Sequence, residues 1–325
     1  MRAIVVSELG DPDVLRLSDR DDPKPGPGEL LVQVGAAGVN FIETYQRSGL
    51  YQMALPYTPG AELAGQVLAV GEGVAGFKPG DRVATVDARG SYAEQAIVPA
   101  DRAVPVPDGV DTETAAAVLL QGMTAHYLTQ STYPVRGGET ALVHAAAGGM
   151  GLLLTQLVKA AGGKVIGTTS SEAKAKIADE AGADEIVRYD QFTDDELAAE
   201  VLRRNGGQGV HVAYDGVGAA TFEASLAALR PRGMLVSFGN ASGPVPPVAP
   251  LRLSQGGSLF LTRPTLGHYV AARQELEWRA GDVFRWIQDG TLSIRVGATY
   301  PLSEAAQAHR DLQERKTTGK VLLVP

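Results

Sequence analysis

The chain has 325 residues, 44% apolar and 20% charged, enough for about two domains and a substantial core. Its formal charge of −8 and the lack of any Lys/Arg stripe disfavour nucleic acid or an anionic membrane as the main partner. Cysteine is absent, which excludes disulfides, thiolate nucleophiles and thiolate-bound zinc or iron–sulfur sites.

The first residues, MRAIVVSELG, show no cationic leader followed by an apolar stretch. No later run approaches the roughly 18 apolar residues of a membrane span, so a cytoplasmic address is the default expectation. Residues 1–121 are dense in Gly and Pro, with short β-like runs at Arg2–Val6, Glu29–Ala36, Leu63–Val70, Arg82–Thr85 and Ala93–Val98. Turn clusters such as PKPGPGE (23–29) and FKPGD (77–81) separate them, a pattern that predicts a barrel-like β unit.

From 122 to 262 strand and helix patterns alternate. Strands are predicted at Thr140–His144, Lys164–Thr168, Glu185–Arg188, His211–Tyr214, Met234–Phe238 and Ser258–Leu261. Helices are predicted near 150–161, 171–181, 193–204, 219–229 and 248–255. Six strands with intervening helices predict an α/β domain built on a doubly wound parallel sheet. From 263 to 325 come helical periods near 268–288 and 303–314 and two β-like runs, Ser293–Tyr300 and Lys320–Val324. These are read as a return to the first domain, which makes the parallel-sheet domain an insertion.

The densest information lies in GETALVHAAAGGMGLLLTQLVK, residues 138–159. Thr140–His144 reads as a strand, Ala145–Gly151 as a turn almost without side chains, and Leu152–Lys159 as an amphipathic helix. Such a turn sets backbone N–H groups beside the positive end of a helix dipole, the geometry that holds a pyrophosphate. Its positions are Ala146, Gly148 and Gly151 in place of three glycines. The bland alternative is an αβ turn that needs Gly only for its backbone.

A domain that selects NAD places an acid about 20 residues beyond the first Gly of the turn. Here the segment reads VIGTTSSEAKAK, with no acid from Val165 to Ser171. Ser170, Ser171 and Lys174 at a helix start suit a 2′-phosphate instead, which predicts NADPH over NADH. The structural alternative is an N-cap serine with Lys174 on a solvated face. Glu172 repels a phosphate there unless it turns outward.

Residues 138–159 match the quinone oxidoreductase/zeta-crystallin signature at Leu142, Ala146, Ala147, Gly148, Gly149, Gly151, Gln156 and Lys159. Gly60, Glu62, Gly65 and Gly71 have the G-x-E-x-x-G-x(5)-G spacing of medium-chain dehydrogenase/reductases. AAGVNFIETYQRSGLY (36–51), LVSFGNASG (235–243) and TRPTLGHY (262–269) match further. Across its whole length the chain resembles the bacterial NADPH:quinone reductase branch of that superfamily.

The resemblance implies a GroES-like β-rich catalytic domain interrupted by a Rossmann domain, with the coenzyme in the cleft between them. It implies that Gly148, Gly149 and Met150 face the pyrophosphate and that Ser170, Lys174 and Tyr189 surround the adenosine phosphate. Gly216, Phe238, Gly239, Asn240 and Arg263 would line the nicotinamide half. Asn40, Tyr45, Thr124, Tyr127 and Arg315 would reach the coenzyme from the other domain or the hinge. Alternatives stay open: packing for the aromatics, surface ion pairs for the two arginines, and strand-end turns for Gly216 and Gly239.

Zinc alcohol dehydrogenases of the superfamily need a Cys near the Asn40 position and a His where Ala61 stands. The five histidines, at 126, 144, 211, 268 and 309, show no ligand spacing, so no metal is expected. Glu62 then serves structure or pairs with a buried polar group. Hydride transfer needs no protein nucleophile, because the coenzyme carries the chemistry. Asn40, Tyr45 and Tyr51 are the candidate donors toward a substrate oxygen, with Tyr45 and Tyr51 as substrate wall or as packing against the nicotinamide ribose.

The expected activity is NADPH-dependent, zinc-independent reduction of quinones. The alternatives are an enone or enoyl-thioester reductase of the same fold and a non-catalytic NADPH-binding structural or RNA-binding protein. Relatives pair the edge of the parallel sheet across a two-fold axis, so the resemblance implies a homodimer.

Overall fold

The computed structural model describes residues 1–325, the side chains of 194 and 195 excepted. The chain divides into two compact units. The first comprises Met1–Met123, Ala272–Gly290 and Ile294–Pro325; the second comprises Thr124–Ala271 and Thr291–Ser293. The return to the first unit falls at Ala272, beyond residue 263 where the sequence pattern places it.

The amino-terminal part of the first unit holds β1 (Arg2–Val5), β2 (Arg16–Asp19), β3 (Glu29–Val39), α1 (Phe41–Arg47), β4 (Leu63–Val70), β5 (Arg82–Thr85), β6 (Gln95–Pro99) and β7 (Val104–Pro105). α2 (Thr112–Tyr127) follows. β3 is the hub of a largely antiparallel sheet and pairs with β4 and β6. Alternate residues of β3, Leu30, Val32 and Val34, point into a core shared with Val67, Val83 and Val98.

Two helices here escape the periodicity of the sequence, for different reasons. α1 is too short, at seven residues, to display a full apolar stripe. Its capping box, Asn40 with Glu43, was nonetheless written in the sequence. α2 carries apolar residues around its whole circumference, and Ala115–Leu119 and Met123 are all completely buried. A helix buried on every side has no polar face to mark it.

The second unit runs β8 (Thr140–Val143), α3 (Gly149–Ala160), β9 (Lys164–Thr169), α4 (Glu172–Glu180), β10 (Glu185–Arg188), α5 (Asp194–Arg204), β11 (Val210–Asp215), α6 (Phe222–Ala227), β12 (Leu229–Ser237), α7 (Pro250–Gln255), β13 (Phe260–Thr262) and α8 (Leu266–Tyr269). All six strands are parallel, in the order β10-β9-β8-β11-β12-β13. This is the doubly wound dinucleotide-binding topology, with its switch point between β8 and β11. Leu142, Ile166, Val187, Ala213 and Leu235 from the strands pack with Leu197, Val201 and Phe222 from the helices.

The chain then forms α9 (Arg273–Gln288), β14 (Val296–Pro301), α10 (Ala305–Gln313) and β15 (Lys320–Val324). The period read over 268–288 is broken between Tyr269 and Arg273 into two helices. β14 pairs parallel with β15, and β15 pairs antiparallel with β3 through Val321–Val39 and Leu323–Ala37. The last strand therefore lies beside the chain segment that leads into α1.

Candidate functional site

In the second unit β8 ends at Val143 and the chain turns through Ala145, whose φ of 52° is left-handed. The Ala146 N–H donates to the Thr168 carbonyl (2.9 Å) and the Gly148 N–H to the Ala145 carbonyl (2.8 Å). Gly148 caps α3. A Cβ on Gly151 would collide with the Ala145 carbonyl oxygen and stand 2.6 Å from the Ala146 Cα. Glycine at 151 is thus what lets the first turn of α3 lie against the loop.

The first intrahelical acceptor pairing is Leu152 N–H to the Gly148 carbonyl. The N–H groups of Gly149, Met150 and Gly151 are those a helix start leaves without an acceptor of its own. The first turn of this 12-residue helix carries no acid. A short loop, bare N–H groups and an unopposed dipole fit a pyrophosphate.

At the end of β9, Ser171 is the N-cap of α4 and accepts from the Lys174 N–H at 3.3 Å. Ser170, Lys174 and Tyr189 are partly exposed on this corner. Glu172 turns outward: its side chain is 84% exposed and meets the Arg188 guanidinium at 3.3 Å. That pairing reduces the repulsion it would exert on an anion beside Ser170.

At the ends of β11 and β12, two turns meet. A Cβ on Gly216 would stand 2.8 Å from the Phe238 ring, and one on Gly239 2.8 Å from the Gly216 Cα. The two loops approach so closely that only glycines fit. Phe238 N–H donates to the Asp215 carbonyl (2.8 Å), and Arg263 Nη1 donates to the Ser237 carbonyl (3.2 Å). Gly216, Phe238, Gly239, Asn240 and Arg263 are thereby gathered at the carboxyl end of the sheet, where ligands of this topology bind. Thr124 and Tyr127 are buried, and Tyr127 stacks on Tyr269 with ring centroids 4.2 Å apart. That stacking gives Tyr127 a packing role of its own.

A polar chain that no sequence motif announces lies beneath these turns. Asp215 Oδ1 accepts from the N–H groups of Val217 (2.8 Å) and Gly218 (3.0 Å). Its Oδ2 accepts from the hydroxyls of Thr221 (2.7 Å) and Ser225 (2.8 Å). Ser225 in turn hydrogen-bonds to His144 Nε2 (2.9 Å), and His144 Nδ1 hydrogen-bonds to the Thr168 hydroxyl (3.0 Å). Burial holds His144 below the usual imidazole range, with Asp215 pulling the other way. The five side chains come from three separate segments, around 144, 168 and 215–225, which is why sequence reasoning missed them.

In the first unit the buried node is Lys320, Glu62, Asn40 and Glu43. Lys320 Nζ donates to Glu62 Oε2 (2.6 Å) and to Asn40 Oδ1 (2.7 Å). Asn40 Nδ2 donates to Glu62 Oε2 (2.9 Å) and the Gly38 carbonyl (3.4 Å), and the Leu120 N–H donates to Glu62 Oε1 (2.7 Å). Glu62 does pair with buried polar groups. Glu43 Oε2 accepts from the Asn40 N–H at 2.7 Å, while Oε1 has no hydrogen-bond partner among the described residues. Burial pushes the Glu43 carboxyl up to about 8, against the opposing pull of Lys320.

Asn40 also begins α1, which carries Tyr45. The Tyr45 and Tyr51 rings meet edge to face at 5.3 Å, and the Tyr51 N–H donates to the Tyr45 carbonyl at 3.0 Å. Tyr51 is 37% exposed. Arg315 is exposed and follows α10 with a left-handed φ of 58°.

This node does not fit zinc. Ala61 precedes Glu62 where a His ligand would be needed, and an ammonium 2.6 Å from the carboxylate repels a divalent ion. Among the described residues no group of three or more His, Cys, Asp or Glu is placed to hold a metal.

A six-stranded Rossmann sheet inserted into a β-rich unit defines a medium-chain dehydrogenase/reductase. Two family profiles match: an alcohol dehydrogenase GroES-like domain over residues 26–108 and a zinc-binding dehydrogenase over 149–283. The latter stretch contains no cysteine. The chain is 46% identical to a quinone oxidoreductase of Pseudomonas aeruginosa over 100% of its own length and 99% of the relative's. It is 39% identical to a 2-haloacrylate reductase of a Burkholderia species, covering 99% of this chain and 98% of that one. A mycobacterial protein solved in complex with NADPH superposes with a TM-score of 0.97 at 50% identity, with both chains covered completely. The chain belongs to the quinone oxidoreductase family. No helix among the described residues is long and apolar enough to cross a membrane.

Proposed function

We propose that this protein reduces quinones with NADPH, without a metal. The observation that carries the reading is the turn from Ala145 to Gly151, whose backbone fits a pyrophosphate, followed by Ser170 and Lys174 where an NAD-selecting acid would stand. The mycobacterial relative solved with NADPH supports it.

In this reading Gly148, Gly149 and Met150 hold the pyrophosphate, and Ser170, Lys174 and Tyr189 hold the 2′-phosphate. Gly216, Phe238, Gly239, Asn240 and Arg263 form the nicotinamide wall, with Thr124, Tyr127 and Arg315 as supporting contacts. Bound NADPH supplies a hydride from C4 of its dihydronicotinamide ring. A quinone accepts the hydride at a polarised position, and a proton from solvent completes the hydroquinone. Tyr45 and Tyr51 form the acceptor wall. Asn40 acts by holding the start of α1, since its amide hydrogens point to Glu62 and Gly38.

The similarity to a 2-haloacrylate reductase favours a second reading, reduction of an activated alkene at the same site. NADPH oxidation followed at 340 nm with 1,4-benzoquinone, 2-chloroacrylate and an enone panel separates the two. Tight NADPH binding with no turnover on any acceptor would favour a non-catalytic protein.

A homodimer and a cytoplasmic address belong to the same proposal. Among the described residues β13 pairs with β12 alone and ends the sheet, and Phe260 upon it and Leu251 of α7 are 55% and 66% exposed. An open edge beside exposed apolar side chains is the kind a second copy covers.

A further inference from the structure

We propose that Asp215 is an electrostatic positioning residue, a buried carboxylate without a counter-ion that favours the oxidised, cationic form of the nicotinamide and so promotes hydride release. The inference rests on the reading that the turns at Gly216 and Gly239 form the nicotinamide wall.

Asp215 is 1% exposed. Four donors converge on it: the N–H groups of Val217 and Gly218 and the hydroxyls of Thr221 and Ser225. Two N–H groups donate to Oδ1 and two hydroxyls meet Oδ2, a set of partners that suits a carboxylate.

None of these donors is charged. Among the described residues no Lys or Arg forms an ion pair with Asp215. Arg263 reaches the same end of the sheet but gives Nη1 to the neutral Ser237 carbonyl. His144, the one titratable side chain in the chain of hydrogen bonds, is a neutral imidazole. Its Nε2 lies 2.9 Å from the Ser225 hydroxyl and its Nδ1 3.0 Å from the Thr168 hydroxyl, and burial disfavours its second proton. A full negative charge is therefore fixed by dipoles alone, immediately before the glycine that the proposed function sets against the nicotinamide.

A cap on the turn after β11 would need only a hydroxyl or an amide here. The retained charge acts on whatever changes charge nearby. Loss of a hydride turns the neutral dihydronicotinamide into a cationic ring, and a fixed anion stabilises the product side of that change without reorganising. A unit charge acting across about 10 Å at an effective dielectric of about 20 shifts an equilibrium roughly tenfold.

The test is direct titration of NADPH and NADP+ into the wild type and Asp215→Asn, read by calorimetry and not by turnover. Asparagine keeps an oxygen for the two N–H groups and removes the charge. The ratio of the NADP+ to the NADPH dissociation constant is expected to rise about tenfold, which moves the potential of the bound couple up by about 30 mV. Thr221→Val keeps the charge and deletes one donor; it is expected to weaken both nucleotides alike.

An unchanged ratio in Asp215→Asn, with both nucleotides bound, would overturn the inference and leave the proposed function standing. So would a tenfold ratio change in Thr221→Val. Failure of the wild type to bind either nucleotide would overturn both. Should Asp215→Asn not fold, the wild type decides: NADP+ bound at least as tightly as NADPH supports the inference, and NADPH bound more than tenfold tighter overturns it.

Discussion

Replacing Lys320 by Met should unfold the first unit well before it disturbs the second. Lys320 and Glu62 are both completely buried, 2.6 Å apart. Removing the ammonium leaves the Glu62 carboxylate with the Leu120 N–H and the Asn40 amide as its donors among the described residues. It also strips Asn40 Oδ1 of the donor that fixes it. Breaking one side of a buried pair costs about 3–5 kcal/mol, because the remaining charge stays in a medium that cannot solvate it. For a unit of this size each kcal/mol lowers Tm by about 2–4 °C, so a fall of roughly 6–20 °C is expected. Calorimetry of Lys320→Met, Glu62→Gln and the double variant measures it. The double variant removes both charges, and the carboxamide introduced by Glu62→Gln can donate to Asn40, so it should recover most of the loss. A Lys320→Met penalty below about 1 kcal/mol, or a double variant as unstable as the single ones together, would refute the reasoning.

Glu43 makes stability fall with rising pH. Its folded carboxyl titrates at about 8 against 4.5 in the open chain, so the folded state binds the extra proton between those values. That stabilisation is complete below 4.5 and is lost as pH climbs through 8; Glu43→Gln should flatten the slope in denaturant titrations from pH 5 to 9. His309 acts in the opposite sense. Burial lowers it to about 3, so its contribution is present above 6.5 and is lost as pH falls toward 3; His309→Gln should reduce acid sensitivity there. Lys174→Ala should cut the NADPH-over-NADH preference roughly tenfold or more, as loss of one charge-assisted hydrogen bond implies, and kcat/KM with each coenzyme measures it. Phe260→Glu should convert a dimer to a monomer in light scattering while leaving the far-ultraviolet circular dichroism unchanged.

What the sequence disclosed followed from locality. The β8–turn–α3 unit is one continuous segment, so its apolar run, its glycines and its amphipathic helix stand in a row. The strand ends at Val143, one residue before the sequence places its end, and the turn then passes through a left-handed Ala145. α2 stayed hidden because burial on all sides removes the periodic contrast that marks a helix.

The two polar networks stayed hidden for a different reason. Lys320 opens a terminal strand and reads as a surface cation. Only the antiparallel pairing of β15 with β3 carries it to Asn40 and Glu62. Asp215, His144, Thr168, Thr221 and Ser225 meet because parallel strands end together at one edge of the sheet. Contacts of that kind are set by topology, and a strand order must be known before they can be read. Glu172 is the intermediate case: its place beside Ser170 and Lys174 is plain in the sequence, and its outward turn is set by Arg188 from β10.

The most direct measurement is an anaerobic stopped-flow experiment with purified protein, NADPH and 1,4-benzoquinone, before and after exhaustive treatment with a chelator. The account predicts saturable oxidation of one NADPH per quinone reduced, at the same rate in both samples. Loss of turnover with the chelator and its return on adding zinc would contradict it, as would no oxidation of bound NADPH by any quinone.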